Sequence, residues 1–166
     1  MNYFTLLAVP VLSHILYTDF SRRRVSTIAL TLYFCISLIR LIFSLTSDEI
    51  VYFIVINFLL LSISGISIYI YSLIRRKSMK YLVGLGDVLF VIIAALNFAP
   101  YSFLIFISTS SIAGIIFFVV RMKFKKNEMQ IPFAGIMACL MILLFILEQF
   151  NGYSSYNDST LINLLY

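Results

Sequence analysis

The chain has 166 residues, of which 62% are hydrophobic and 11% are charged, and its formal net charge is +5. Soluble domains are about half apolar or less and could not bury this much apolar surface, so the composition argues against a water-soluble globule and predicts a polytopic membrane protein. The positive charge could indicate nucleic acid, but in a membrane protein basic loops record orientation, and we expect no nucleic-acid partner.

Six apolar runs follow one another along the chain, most of them close to the roughly 17–25 residues that cross a bilayer as a helix. Helices are predicted because lipid offers no partner for backbone N–H and C=O groups. The predicted helices cover residues 3–18, 25–45, 50–74, 86–98, 101–120 and 131–150. The fourth is the shortest. With no repeat or second domain in view, residues 1–166 are predicted to form one all-α, membrane-embedded domain with about six spans.

The connections between these helices carry a strongly uneven charge. Eleven of the 12 Lys and Arg residues fall in the first, third and fifth connections, at 22–24, 75–80 and 121–126. The second and fourth connections and the C-terminal tail carry none. Because basic loops stay in the cytoplasm, the odd-numbered connections are predicted to be cytoplasmic and both termini to lie outside.

The remaining basic residue, Arg40, lies near the outer end of the second helix, and Glu148 lies near the outer end of the sixth. The favoured interpretation is that each side chain reaches separately to the membrane interface. An ion pair between Arg40 and Glu148 is the weaker alternative.

Two of the seven acidic residues stand apart from the rest. Asp48, Glu49, Glu128 and Asp158 lie in polar segments and are expected to be solvated. Asp19 ends the first predicted helix and Asp87 begins the fourth, and both of these points are cytoplasmic by the charge count. The topology therefore predicts two carboxylates at the same membrane depth on the same side, where acids are candidates for function.

Glycines precede one of these acids. Gly84 and Gly86 flank a single residue just before Asp87, and glycine permits close backbone approaches that other residues block. They could let another helix or an extended peptide lie beside the carboxylate. The structural alternative is that Asp87 caps its own helix and that Asp19 pairs with the arginines at 22–24.

Two carboxylates around one water have a known chemistry. They do not both ionise easily, so one keeps a proton and polarises a peptide carbonyl, while the other takes a proton from the attacking water. The pair titrates as a unit, so neither residue is assigned a fixed role. This chemistry needs no metal or cofactor. The single histidine, His14, and the isolated Cys35 and Cys139 also argue against a metal site.

These motifs resemble those of the type IV prepilin peptidases, which are membrane aspartyl proteases of the GxGD type. "DFSRRRVST" (19–27) is similar to the family's D-x5-I-P-N/D motif, with Asp19 at the catalytic acid and Val25 at the Ile, whereas Ser26 and Thr27 depart from it. "GLGD" (84–87) matches GxGD, with Leu89 where a Lys is typical. "IPFAGI" (131–136) is similar to the Pro-Phe signature that opens the last helix.

The resemblance implies a function. The chain would be an aspartic endopeptidase of the bacterial cytoplasmic membrane, with Asp19 and Asp87 catalytic and Gly84 and Gly86 supporting the site or binding substrate. It would remove the leader of prepilins or pseudopilins, after a Gly at the cytoplasmic face, for a type IV pilus or a secretion system. Longer family members carry an N-terminal region with paired cysteines that is associated with N-methylation. This chain is expected to be a short form without that activity.

Two other functions remain open on the residues alone. A small proton- or ion-coupled transporter could use the same two aspartates as a relay. Against it, both acids lie at one face and not along a path through the bilayer. A catalytically silent assembly factor, in which Asp87 only caps a helix, is the third possibility.

Overall fold

The computed structural model describes residues 3–75, 84–124, 132–151 and 155–157. They form six α-helices, with a 3-10 turn, Ala95–Asn97, after the fourth. The helices are α1 (Tyr3–Arg22), α2 (Thr27–Ser44), α3 (Ser47–Arg75), α4 (Leu85–Ala94), α5 (Pro100–Phe124) and α6 (Phe133–Asn151). Part of the basic charge used for the orientation, at 76–80 and 125–126, lies outside the described residues, as do Glu128 and Asp158.

The predicted all-α, polytopic fold is confirmed. Five of the described helices, all but α4, are long and apolar enough to cross a membrane. The remaining helix is α4, which corresponds to the fourth predicted helix, the shortest. With its 3-10 turn it forms an apolar stretch that covers Leu85–Asn97. No strand occurs in the described parts of the chain, as expected where lipid requires each segment to satisfy its own backbone.

The core forms around α1, α2 and α6. The buried residues of α1 are Thr5, Ala8, Leu12, Ile15 and Asp19, and their spacing of three or four places them on one face of the helix. That face packs along α6, whose buried side chains include Ala134, Met137, Met141 and Phe145. Asp19 is therefore buried because it continues the apolar stripe of α1 by one more turn.

The site elements meet at one end of the bundle. There α1 ends and α4 and α6 begin, as the contacts of Asp19, Asp87 and Val25 described below establish. We call this the inner end, because its arginines at 22–24 predict that it faces the cytoplasm, and we call the opposite end the outer end.

Helix α3 is attached to the bundle mainly through its outer half. Only 6% of its membrane-spanning window is buried. The Asn57 amide, which is buried, donates hydrogen bonds of 2.8 Å to the carbonyl oxygen of Ala95 and 2.9 Å to that of Phe98. This contact anchors α3 beside the 3-10 turn, whereas most side chains of its inner half are exposed or half-buried, with Ser72 the buried exception among those described.

The favoured interpretation of Arg40 is wrong. The side chain does not reach to the interface: it is 1% exposed, and its Nη2 donates to both carboxylate oxygens of Glu148, at 2.8 and 2.7 Å. The weaker alternative, the Arg40–Glu148 ion pair, is the one that forms. The physical reason is that Glu148 and other polar partners from distant parts of the chain meet Arg40 inside the bundle, where they pair its charge through Nη1 and Nη2, while Nε has no hydrogen-bond partner among the described residues.

Candidate active site

Asp19 lies in the last turn of α1, which continues to Arg22, beyond the predicted helix end. Its side chain is buried, and its Oδ2 accepts a hydrogen bond from the backbone N–H of Gly135 at 2.6 Å. After Arg22 the chain turns sharply: Arg23 takes a left-handed conformation, with φ of 54°, and its N–H donates to the Asp19 carbonyl at 3.1 Å. This turn closes α1 and leads the chain into the short link before α2.

Asp87 lies in the first turn of α4, three residues after the N-cap Gly84. It is half-buried, and its Oδ1 accepts a hydrogen bond from the backbone N–H of Ala134 at 2.8 Å. The other oxygen, Oδ2, lies close to Gly84, where a Cβ would be 3.0 Å away, so the carboxylate is also near the N-terminus of its own helix, as a capping role would require. The contact with α6 is an additional one that capping does not require.

The two carboxylates thus bind successive amides at the start of one helix, α6. The first N–H groups of a helix have no partner within it, and the helix dipole favours negative charge there. Each acid accepts a hydrogen bond from one of these amides, and the charges of Asp19 and Asp87 interact with each other. The prediction that the topology brings these two acids together at one end is confirmed.

Gly86 allows the link between α1 and α2 to approach α4. A Cβ built at Gly86 would lie 2.9 Å from Cγ2 and 3.1 Å from Cβ of Val25, closer than real carbon contacts of about 3.5–4.0 Å. The close approach predicted for this glycine is therefore present, and its occupant is Val25, from the first motif. At Gly84, an added Cβ would lie 3.0 Å from Oδ2 of Asp87.

Gly135 also belongs to the site, although it was not predicted from the sequence. A Cβ at Gly135 would lie 2.7 Å from Cδ2 of Phe20 and 3.2 Å from Oδ2 of Asp19. Glycine at this position therefore leaves room for the ring of Phe20 and for the close approach of Asp19 to the amide. The available signal was the pair of small residues, Ala134 and Gly135, directly after the Pro-Phe signature, at the point where a helix offers free N–H groups.

Both acids line a cavity of about 1270 Å³. Gly84, Gly86 and the arginines Arg23 and Arg24 line it at the inner end, and α3, α4 and α5 contribute apolar walls. Along α3 the lining runs from Phe58 to Ile68, about 15 Å at the rise of a helix. The volume exceeds the roughly 300–1,000 Å³ of common small-molecule sites.

Serines on the α3 wall present few free polar groups to the cavity. Ser62, Ser64 and Ser67 donate to carbonyl oxygens of their own helix at 2.8 to 2.9 Å. Together with Gly65, they give this face of α3 small side chains whose hydroxyl protons are already used within the helix. Such small side chains allow close helix packing in a membrane.

The residues that depart from the family motifs have definite positions. Ser26 is the N-cap of α2 and accepts a 3.5 Å hydrogen bond from the N–H of Ala29. Thr27 and Leu89 line the cavity, so an apolar side chain stands where the family pattern has a lysine. Among the described residues, no group of three or more His, Cys, Asp or Glu side chains is arranged to hold a metal ion.

The described geometry therefore consists of two interacting carboxylates on one helix terminus, beside a long, largely apolar cavity. Comparisons with models of protein families, with curated proteins and with solved structures give no match for this chain.

Proposed function

We propose that the chain is an aspartic endopeptidase of the bacterial cytoplasmic membrane that removes the leader of prepilin-like or pseudopilin precursors. One observation carries the proposal: Asp19 and Asp87 accept hydrogen bonds from the successive amides of Gly135 and Ala134 and both face one cavity. The motifs that resemble the prepilin peptidases contain the same two acids.

The chemistry follows from two carboxylates sharing one proton. A water between them gives a proton to the ionised carboxylate as its oxygen attacks the peptide carbonyl, and the protonated carboxyl donates to the carbonyl oxygen. The amides of Ala134 and Gly135 each hold one carboxylate oxygen, which orients the acids and stabilises their negative charge. We leave the two roles unassigned, since the pair acts as one titrating unit.

The cavity suits a substrate with a polar cleavage site next to an apolar helix. Its inner end holds the acids, and its walls along α3 and α4 are largely apolar over at most about three turns of helix. Prepilin-like precursors have this form, with a short leader in the cytoplasm and an apolar helix in the bilayer. In this arrangement the scissile peptide would lie beside Asp87 and the helix against α3.

Co-expression with candidate prepilins tests the proposal through the size shift that follows leader removal. The variants Asp19→Asn and Asp87→Asn keep an oxygen that can accept the amide hydrogen bonds but remove the exchangeable acid. We expect each to abolish processing while the protein still accumulates in the membrane. Asp48→Asn, the same change at an exposed position at the outer end, is the matched control.

Two outcomes would contradict the proposal. Processing at the wild-type rate by either site variant would refute the dyad. Proton or ion flux in liposomes, lost in both variants and without any cleavage, would favour a transporter in its place.

A further inference from the structure

A buried polar cluster lies at the outer end of the bundle, far from the proposed active site. We define the outer cluster as Arg40, Asn97, Glu148, Ser155 and Tyr156. Besides its two bonds to Glu148, Arg40 Nη2 donates to Ser155 Oγ at 2.8 Å. The guanidinium also lies 4.8 Å from the ring centres of both Phe145 and Tyr156. Each of these contacts is made inside the protein, since Arg40 is 1% exposed.

Asn97 connects this cluster to α4. Its Oδ1 accepts a 3.3 Å hydrogen bond from Arg40 Nη1. Its amide donates to Ser37 Oγ at 2.8 Å, to Tyr33 Oη at 3.2 Å and to the Ile93 carbonyl at 3.2 Å. The 3-10 turn at the end of α4 is thereby fixed to α2, and through Arg40 to Glu148 on α6.

The segment at 155–157 completes the cluster. Ser155 uses its carbonyl oxygen to accept from the N–H of Ala99 at 2.8 Å. The hydroxyl of Tyr156 donates to the Leu96 carbonyl at 3.0 Å. Backbone groups on both sides of the turn that joins α4 to α5 are therefore held by this segment, which reinforces the fixation of the outer end of α4.

Helices α4 and α6 are consequently joined at both ends by polar contacts. At the inner end, Asp87 on α4 binds Ala134 on α6. At the outer end, Asn97 is joined to Glu148 through Arg40. These contacts lie about 15 Å apart along α4 and about 21 Å apart along α6. Two connections at that separation restrain both sliding and rotation of one helix against the other.

We propose that Arg40 is a positioning residue for Asp87: it fixes the outer end of α4 against α6 and so holds the carboxylate at the amide of Ala134. The catalytic part of this inference rests on the proposed function. A buried ion pair often adds no net stability, because proteins with apolar residues in its place are often as stable. It can, however, restrict the helices that it joins to one relative geometry. The same residue therefore acts on the site from the opposite end of the bundle.

The test uses the double variant Arg40→Met/Glu148→Leu, which removes both charges together and leaves neither buried without its partner. We expect kcat to fall by about tenfold or more with KM unchanged, since small displacements of catalytic groups are costly. The matched control is Thr5→Val/Gln149→Leu. It removes a hydrogen-bonded polar pair, also near the outer end, that joins α6 to α1, two helices that already pack along their length. We expect it to retain wild-type kcat.

A second readout does not depend on catalysis. Spin labels on the native Cys139 of α6 and on Leu85→Cys of α4, in a Cys35→Ala background, report the distance between the inner parts of these helices by EPR. Both positions are exposed. We expect a narrow distance distribution in the parent and a broader or shifted one in the double variant. If the double variant does not accumulate, Arg40→Lys, which keeps the charge but not the forked contacts, is measured in the same way.

The outcomes separate the two proposals. A changed EPR distribution together with a reduced kcat supports the positioning role. Wild-type kcat, or an unchanged distribution, overturns it even if the Asp19 and Asp87 variants are inactive. The EPR distribution could change in the double variant while the parent protein cleaves no prepilin. That result would support the restraint of α4 by Arg40 and refute the peptidase function.

Discussion

The side chain of Val25 lies directly against the backbone of Gly86, so the link after α1 touches the first turn of α4. A Cβ at Gly86 would lie 2.9 Å from the nearest Val25 methyl. This contact joins the residues that follow Asp19 to those that precede Asp87. The spacing between the two acids therefore depends on the absence of a side chain at one position.

Gly86→Ala is expected to impair processing strongly, by about tenfold or more, because the new methyl pushes α4 away from the link and displaces Asp87. Overpacking of this kind also costs about 1–3 kcal/mol of stability. Leader removal and thermal unfolding in detergent measure the two effects. The second substitution Val25→Ala removes the closest atom and should restore part of the activity.

Gly65→Ala is the matched control for that change. A Cβ at Gly65 would meet nothing within 4 Å, and alanine in a helix is favoured over glycine by about 0.5–1 kcal/mol. We expect equal or higher thermal stability than wild type. Equal loss of thermal stability in both glycine variants would show that the Val25 contact is not the cause.

Asp19→Glu and Asp87→Glu are each expected to reduce processing by about 100-fold, although the charge is kept. The added methylene moves the carboxylate by about 1 Å relative to the amides of Gly135 and Ala134, and catalysis of this kind is sensitive to such shifts. Initial cleavage rates on a purified precursor provide the measurement. Asp48→Glu serves as the control, and substantial activity in either site variant would contradict a requirement for fixed geometry.

Gly135→Ala is expected to lower kcat by about tenfold or more, since the new methyl would lie 3.2 Å from Oδ2 of Asp19 and crowd the carboxylate off its amide. It would also lie 2.7 Å from the ring of Phe20. Phe20→Leu separates the two contacts. If the double variant Gly135→Ala/Phe20→Leu regains full activity, the ring and not the carboxylate was the obstacle.

Gly65→Phe is expected to raise KM for a full-length precursor by about tenfold, because the ring would occupy the cavity beside α3 where the substrate helix is proposed to lie. Ile66→Phe, at a neighbouring position that is 58% exposed, is the control and should leave KM unchanged. Kinetics in detergent micelles give both values. Unchanged KM in Gly65→Phe would argue that the substrate uses another surface.

Much of the site could be predicted from local sequence, because its signals are local. The apolar runs define the helices, the charge of the connections assigns their ends, and those ends bring Asp19 and Asp87 together. Gly86 precedes Asp87 in a recognisable motif. What each glycine touches could not be predicted, since Val25 meets Gly86, and Phe20 meets Gly135, only after the helices have packed.

Arg40 illustrates the opposite case. In the sequence it is a single charge in an apolar run, for which separate exposure at the interface is the ordinary interpretation. Its partners Asn97, Glu148 and Ser155 lie 57, 108 and 115 positions away. No local pattern connects them, and the ion pair is stable only because the folded bundle brings several polar groups to the same buried point.

The one-sided attachment of α3 bears on the order of events in a cell. Asn57 holds the helix beside the 3-10 turn, and further in the cavity is lined by both α3 and α4, where Leu85 is 80% exposed. On the proposed function, a precursor would reach the acids sideways, by diffusing within the lipid. Membrane insertion of the precursor would then have to precede cleavage. The timing of leader removal would therefore be set by insertion into the membrane and not by translation.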